Sequence, residues 1–360
     1  MMKRGFYVMA AIASFVLAIP AADACTGITL TAKDGGCVVA RTIEWGGSFL
    51  NSKYVVVPRG YTQRSYTPDG VDGMTFTSRY GYVGLAVEQE AFVAEGVNEA
   101  GLSGGLFYFP GYGDYGPYLP AHKATSIADL QLVAWVLGSC RTIDEVKAAV
   151  AKVHVVTIDP RAQTVHWRFT DRSGHQVVLE IIDGVPQFHD NALGVLTNSP
   201  DFAWQLTNLN NYVNLYPGSA AAHRMGGVEL AAFGAGSGFL GIPGDVTPPS
   251  RFVRAAFYQT TAPQQETSRQ SVIQSFHILN NFDIPIGIEF ATGQMPADMP
   301  SATQWTSATD LSNLEIYYRT MYDSSIRCID LRTIDFSKVK YRAEPLDAEL
   351  EQPVVPVVIR

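Results

Sequence analysis

Cysteine is scarce in this chain: four in 360 residues, at positions 25, 37, 140 and 328, with no CxxC pair and no Cys/His cluster. That excludes a disulfide framework and a zinc pattern. One bond among Cys37, Cys140 and Cys328 stays open, with free buried thiols the simpler expectation. The seven histidines show no HExxH or other ligand spacing, so neither a metal nor a cofactor is expected. Basic residues are also in deficit. Lys and Arg number 26 against 34 Asp and Glu, a formal charge of −8, which leaves no electrostatic footprint for nucleic acid or anionic lipid. Beyond residue 24 no stretch is long and apolar enough to span a bilayer. There is no low-complexity tract and no internal repeat, and the length suits one large domain or two.

What is present begins with a leader. Lys3 and Arg4 precede an apolar run from Phe6 to Pro20, broken only by Ser14, and Ala22 and Ala24 supply small residues at −3 and −1. This is the pattern of a removable secretory signal over 1–24, too short and wrongly flanked for a membrane anchor. The expectation is an exported protein, periplasmic or secreted, without a stable membrane anchor. Removal takes two cations and one anion and makes the charge one unit more negative. The rival is a lipoprotein signal, which also places Cys at +1; it usually wants a larger aliphatic residue at −3 and a small one at −2, against Ala22 and Asp23 here.

The body reads as α+β, with predominantly antiparallel sheets covered by helices. Gly27 to Arg41 reads as two strands around the turn Lys33-Asp34-Gly35-Gly36. Tyr54 to Val57 and Thr75 to Val87 carry strand composition. Helices are expected over Ile127–Leu137, capped by Ser126 with Asp129, and over Ile143–Val153, with a capping box from Thr142 and Glu145. Gln163 to Asp190 reads as a long hairpin turning at Asp171-Arg172-Ser173-Gly174. Ser271 to Phe282 has helical spacing, and Gln304 to Asp330 a further hairpin turning at Asp310-Leu311-Ser312-Asn313. The expected partition is a leader at 1–24, one catalytic domain at 25–345 and an extended tail at 346–360.

Cleavage after Ala24 makes Cys25 the first residue. Its α-amine then titrates near 7.7–8.0 and its thiol near 8.5, so one residue holds nucleophile and base in permanent proximity. No Ser-His-Asp or Cys-His pair is then needed. Arg41 is the natural cation to lower the thiol pKa, and Glu44 a carboxylate to receive or orient the amine. Taken alone, Arg41 and Glu44 read as a surface ion pair; Asn198 as a turn residue before Pro200; Arg251 as a surface partner of Arg254.

Six motifs in order change that. Cys25-Thr26-Gly27, Lys33-Asp34-Gly35, Arg41-Thr42-Ile43-Glu44-Trp45 and Asn98-Glu99-Ala100-Gly101-Leu102 resemble the choloylglycine hydrolase family. So do Leu196-Thr197-Asn198-Ser199-Pro200, and Gly241-Ile242-Pro243-Gly244-Asp245 with Ser250-Arg251-Phe252. That family holds conjugated bile salt hydrolases and penicillin V acylases. The resemblance implies an N-terminal nucleophile hydrolase with an αββα sandwich, a homo-oligomer (a tetramer), and a small-molecule acyl amide as substrate. It also implies Cys25 as nucleophile, Arg41 beside the thiol, Asn198 with a backbone N–H near Tyr108 at the oxyanion, and Arg251 as a second active-site arginine. Family members carry an aspartate where this chain has Glu44, whose extra methylene moves the carboxylate.

On the substrate side, Gly104 to Pro120 is rich in aromatic residues spaced by glycine and proline. It is expected to form a mobile loop with an apolar wall. Trp45, Phe107, Tyr108, Phe109 and Tyr112 are the expected acyl-binding residues. Tyr108 falls where the resemblance places Tyr in penicillin acylases and Asn in bile salt hydrolases. The expected reaction is hydrolysis of a linear amide next to an apolar acyl group, penicillin V acylase-like first, with conjugated bile salts and N-acyl homoserine lactones as alternatives. The non-enzyme alternative is a lipoprotein or solute-binding protein anchored through Cys25.

Overall fold

The computed structural model describes residues 23–159, 163–295 and 299–359. Residues 1–22 of the leader expected at 1–24, and the final residue of the tail, lie outside them. In chain order the main strands are β1 (Asp23–Thr31), β2 (Cys37–Trp45), β3 (Lys53–Val57), β4 (Tyr82–Ala86), β5 (Val93–Asn98) and β6 (Ser103–Tyr108). They continue as β7 (Val165–Thr170), β8 (Gln176–Ile182), β9 (Val185–Asp190), β10 (Thr303–Asp310), β11 (Glu315–Thr320), β12 (Arg327–Asp330) and β13 (Arg342–Pro345). The helices are α1 (Leu132–Ser139), α2 (Ile143–Val150), α3 (Phe202–Asn208), α4 (Pro248–Thr261) and α5 (Ser268–Leu279).

Two antiparallel sheets form. One has the order β1-β2-β10-β11-β12 and the other β9-β8-β7-β6-β5-β4-β3-β13. Helices α4 and α5 pack on the first sheet, and α1 packs on β5 and β6 of the second. The sheets face each other across a shared apolar core that includes Ile28, Val38 and Ala40 from one and Phe107, Trp167 and Phe169 from the other. This is the αββα sandwich that the resemblance implied. Because β2 lies between a helix layer and the opposite sheet, every residue from Cys37 to Glu44 is buried.

Two arginines cross the sheet interface. Arg168 Nη1 donates to the carbonyls of Ile28 and Ala40, each at 3.3 Å. Arg41 Nη1 donates to the carbonyls of Ala94 (3.1 Å) and Leu106. Glu95 lies between them, 3.4 Å from Arg168 and 3.8 Å from Arg41. A buried carboxylate shared by two guanidinium groups satisfies charges that would otherwise be costly in the core.

Local signals and tertiary pairing disagree in several places. Ser126–Ala128 is a short strand in parallel register with His154–Val156, so the helix expected from Ile127 starts only at Leu132. The expected Ser126/Asp129 cap is absent: Ser126 Oγ donates to the His122 carbonyl at 3.0 Å. In α2 Thr142 caps as expected, accepting from Glu145 N at 3.2 Å, but the Glu145 carboxylate completes no box and binds Arg141 instead. The helix also stops at Val150 rather than Val153. Thr75–Val87 splits into a strand at Thr75–Thr77 and β4. Helix α5 starts three residues before the expected Ser271, where Thr267 and Gln270 form a full capping box. Helix α4 was not anticipated, although Pro248 at its first position is a standard start signal. All four cysteines are free, with Cys25, Cys37 and Cys140 buried and Cys328 exposed. Among the described residues no helix is long and apolar enough to cross a membrane.

Candidate active site

Cys25 sits near the start of β1, paired with Ile43 of β2, so that Ala24 faces Glu44 and Gly27 faces Arg41 in register. On the other edge of β1, Gly27 exchanges backbone hydrogen bonds with Leu196, at 2.7 and 3.1 Å. That ladder brings Asn198 to Cys25. Gly27 has to be glycine here: a Cβ would lie 2.8 Å from Arg168 Nη1 and 2.9 Å from Phe107 Cζ.

The Cys25 nitrogen donates to Asn198 Oδ1 at 2.9 Å. The same oxygen accepts from Arg251 Nη2 at 2.7 Å, while Asn198 Nδ2 donates to the Tyr108 carbonyl at 2.8 Å. Arg251 Nη1 donates to the Cys25 carbonyl at 2.6 Å and to Thr26 Oγ1 at 2.9 Å, and its Nε to the Val246 carbonyl at 2.8 Å. The guanidinium is thus buried and committed to the first two residues beyond Ala24. It is no surface partner of Arg254, which donates to the carbonyls of Pro243 and Asp245. Three elements distant in sequence (β1, the Leu196–Asn198 segment and α4) converge on the Cys25 backbone.

Arg41 lies behind the thiol. Its Nε donates to the Thr42 carbonyl at 3.1 Å, and its carbon stands 4.1 Å over the Phe107 ring. Arg41 therefore acts on the sulfur through its field. Burial pushes the Cys25 thiol up, while the charges of Arg41 and Arg251 and the Tyr108 backbone N–H, directed at the sulfur, pull it down; Glu44 pushes it further up.

With Ala24 attached, the Cys25 nitrogen has one hydrogen, given to Asn198, and Glu44, expected to meet the freed amine, is not its partner here. Its in-register neighbour on β10 is Thr303, whose Oγ1 donates to Glu44 Oε1 at 3.1 Å. Its Cα faces Ala24 rather than Cys25, and this offset by one residue leaves the nitrogen to Asn198. Glu44 Oε2 is buried without a hydrogen-bond partner among the described residues. Burial raises the carboxyl to about 8, against the lowering influence of Arg251, the Thr42 and Thr303 hydroxyls and Arg41. With Ala24 attached, the folded chain keeps the Glu44 proton up to about pH 8, whereas an unfolded chain releases it near 4.5. The folded state binds more protons in that window, so stability falls as pH rises through it, by up to ~1.4 kcal/mol per unit. In a chain with a short leader fused ahead of Asp23, denaturant unfolding at pH 5 and pH 8 should show this fall. Glu44→Gln should flatten it; an unchanged slope would mean that Glu44 is ionised.

In front of the thiol is a cavity of about 650 Å³ including its open mouth. Its walls are chiefly apolar, with Trp45, Leu50, Phe92, Leu106 and Tyr108 among them, and Glu88 and Asp159 also contribute. Of the five expected acyl-binding residues, Trp45 and Tyr108 line this cavity and Phe107, Phe109 and Tyr112 do not. The reason is strand alternation: Ser103–Tyr108 is β6, not a loop, so Leu106 and Tyr108 share one face and Phe107 the other. Phe107 is buried against Arg41, and Phe109 stacks on His166 at 4.3 Å. Tyr112 is nearly half exposed. Glycine in this stretch serves close packing, since a Cβ on Gly105 would lie 2.2 Å from Glu95 Oε2.

Sequence reasoning missed the supporting residues. Leu50, Phe92, Leu106 and Leu130 come from four segments with no common motif. His166 and Glu180 face each other across β7 and β8; His166 contacts Glu180 Oε1 at 3.1 Å and the Thr197 carbonyl at 3.0 Å, bracing the segment that carries Asn198. Burial opposes it, but hydrogen bonds from His166 and His189 hold the Glu180 carboxyl down at about 2. The available signal was their opposition in the hairpin.

Comparison with known proteins gives the family and the fold. Residues 25–343 match the family model described as linear amide C-N hydrolases, choloylglycine hydrolase family. A bile salt hydrolase/transferase of Clostridium perfringens is 32% identical over 324 residues, covering 88% of this chain and 95% of that protein. A penicillin V acylase of Pectobacterium atrosepticum is 24% identical, covering 88% and 83%. A solved structure of a conjugated bile acid hydrolase variant from Clostridium perfringens superposes with a TM-score of 0.80 at 28% identity, over 93% of this chain and 100% of that one. The chain belongs to the choloylglycine hydrolase family of linear amide C–N hydrolases.

Proposed function

We propose that the chain is exported, that its leader is cut after Ala24, and that the exposed Cys25 hydrolyses linear amides next to an apolar acyl group, with a penicillin V acylase-like preference. The observation that carries this is one residue: a buried thiol at an apolar cavity whose own nitrogen is gripped by Asn198, itself held by Arg251. The freed amine takes the thiol proton and sulfur bonds to the amide carbon. The oxyanion is met by the Tyr108 backbone N–H and the second Asn198 amide hydrogen. The C–N bond breaks as the ammonium returns its proton to the leaving nitrogen, giving an amine and a thioester. Water then gives its proton to the same amine and bonds to the carbon. The C–S bond breaks, acid leaves, and the proton returns to sulfur.

Aryl- or alkyl-acyl groups suit a cavity walled by Trp45, Tyr108 and Phe92. Conjugated bile salts are the second reading, favoured by the 32% identity to a bile salt hydrolase/transferase; acyl homoserine lactones are a third. Lipid anchoring fits poorly, because Cys25 lies inside a sheet at 4% exposure. Intact mass with and without a thiol alkylator, beside hydrolysis of penicillin V and glycine-conjugated cholate, tests the reading. The expected result is a chain starting at unblocked Cys25, with activity lost on alkylation and penicillin V the better substrate. A lipid adduct or an uncut leader without turnover would overturn it.

We also propose that this enzyme assembles as a homo-oligomer through the arm at 213–240. Its hairpin, His223–Met225 with Val228–Leu230, buries none of its own residues, and Met225, Val228, Phe233 and Leu240 are exposed. Such apolar exposure marks an interface. Light scattering should find a tetramer, and Phe233→Asp with Leu240→Asp should reduce its mass; a wild-type monomer would exclude the idea.

A further inference from the structure

A second groove shares two segments with the acyl cavity. Residues 87–92 join β4 to β5; Val87, Glu88 and Phe92 line the acyl cavity, while Gln89, Glu90 and Ala91 line the groove. Leu130 and Gln131 are divided in the same way. Most of the remaining wall is Tyr61, Tyr66 and the short strand Thr62–Arg64 between them, with Tyr341 just ahead of β13. The groove encloses about 870 Å³ including its open mouth, within the ordinary size of a small-molecule site. Its tyrosines are half-buried and held in place. Tyr61 and Tyr341 stack at 4.7 Å, and Tyr66 meets the edge of Phe92 at 5.6 Å. Tyr66 Oη donates to Gln89 Oε1 at 3.0 Å and Tyr341 Oη to Glu90 Oε2 at 2.9 Å.

Those bonds leave polar capacity of both kinds. Among the described residues the Gln89 side-chain nitrogen has no partner, and Gln63, whose Nε2 donates to Tyr82 Oη at 3.1 Å, keeps its carbonyl oxygen. Arg64 spends Nε and Nη2 on the carbonyls of Gly73 and Asp72 and keeps Nη1. Charge of either sign is answered: Glu90 already meets Lys53 at 3.0 Å and would repel an anion, and Arg64 would repel a cation. A wholly apolar ligand would strip water from the amides without replacing its hydrogen bonds. Hydroxyl groups, each donor and acceptor at once, match this mixture, and a tyrosine face suits the apolar side of a saturated ring. We infer that this groove is a binding site for a neutral saccharide, whose ring lies against the tyrosines while its hydroxyls pair with Gln63, Arg64 and Gln89. The inference stands apart from the amidase reading, because Cys25, Asn198 and Arg251 do not line the groove.

The test is saturation-transfer NMR with isothermal titration on the purified protein, using methyl β-glucoside, N,N′-diacetylchitobiose, glucuronate and glucosamine as probes. At least one of the two neutral sugars should bind, about tenfold or more tighter than either charged sugar, which would bring an unpaired charge to the groove. Gln89→Ala, at an exposed position, should weaken that binding about fivefold through loss of one hydrogen bond. Tyr61→Ala should weaken it about tenfold through loss of a ring face, and Gln89→Ala carries the test alone where Tyr61→Ala fails to fold. Absence of binding by both neutral sugars would overturn the inference. So would binding unchanged in the folded variants, which would place the sugar elsewhere, or a charged sugar bound as tightly as the neutral ones.

Discussion

Cys25→Ala should lower turnover by on the order of 10⁴-fold or more while the protein still folds. In the proposed reaction the thiol bonds the acyl carbon, and loss of that nucleophile removes the covalent path. Alanine preserves the amine, the strand register with Ile43 and the contacts of the backbone nitrogen and carbonyl with Asn198 and Arg251. Only a small buried sulfur is lost, a stability change of about 1–2 kcal/mol. Steady-state kinetics on penicillin V, beside thermal unfolding followed by circular dichroism, read both quantities. Activity above roughly one per cent of wild type in a correctly processed Cys25→Ala protein would place the nucleophile elsewhere.

The second large effect belongs to Asn198. Its side chain is placed for two jobs at once: Oδ1 gathers the Cys25 nitrogen and Arg251, while Nδ2 ties the Tyr108 carbonyl and, in the proposed reaction, would offer its second hydrogen to the oxyanion. Asn198→Ala should cost about 10²–10³ in kcat, the usual toll of one oxyanion donor. It should also cost about 2–3 kcal/mol in stability, because buried donors on Cys25 and Arg251 and the Tyr108 acceptor lose a partner. Asn198→Asp separates the two jobs. It keeps an acceptor for Cys25 and Arg251 but sets an oxygen against the Tyr108 carbonyl, so stability should partly return while kcat stays down about 10²-fold. A fully active Asn198→Asp enzyme would reduce Asn198 to a scaffold for the amine.

The fates of Glu44 and Phe107 show where reasoning along the chain stops working. Both lie in or beside motifs, and both were expected to face the reaction. Glu44 is placed by cross-strand register, a non-local quantity. The pairing Ala24–Glu44 and Glu44–Thr303 turns its carboxyl to Thr303 and leaves it buried and raised to about 8. Phe107 is placed by parity: one residue along β6 exchanges the cavity for the sheet interface, where it lies under Arg41. The aromatic stretch looked like a loop because its glycines signal freedom in isolation, whereas at Gly105 the missing Cβ makes room for Glu95.

The acyl cavity was the least legible part. Leu50, Phe92, Leu106 and Leu130 are ordinary core residues by any local criterion, and only the packing of four segments around the thiol makes them a wall. The His166–Glu180 brace is of the same kind, visible in the chain as two residues of a hairpin and meaningful only because Thr197 lies against them.

Chemistry that resides in one residue or one short motif could be read from the chain alone. Six ordered motifs give the family and its αββα sandwich, and the small-residue site before Cys25 raises the expectation of a nucleophile with its base attached. Composition alone argued against nucleic acid and zinc. Contacts between distant residues were decided by the tertiary structure: which side chain holds the Cys25 nitrogen, which aromatic residues line the cavity in front of the thiol, and where the Glu44 carboxyl is buried. The division has a physical cause. Bonding capacity and charge belong to a residue wherever it sits, while distance, register and burial belong to pairs of residues that only the folded sheets bring together.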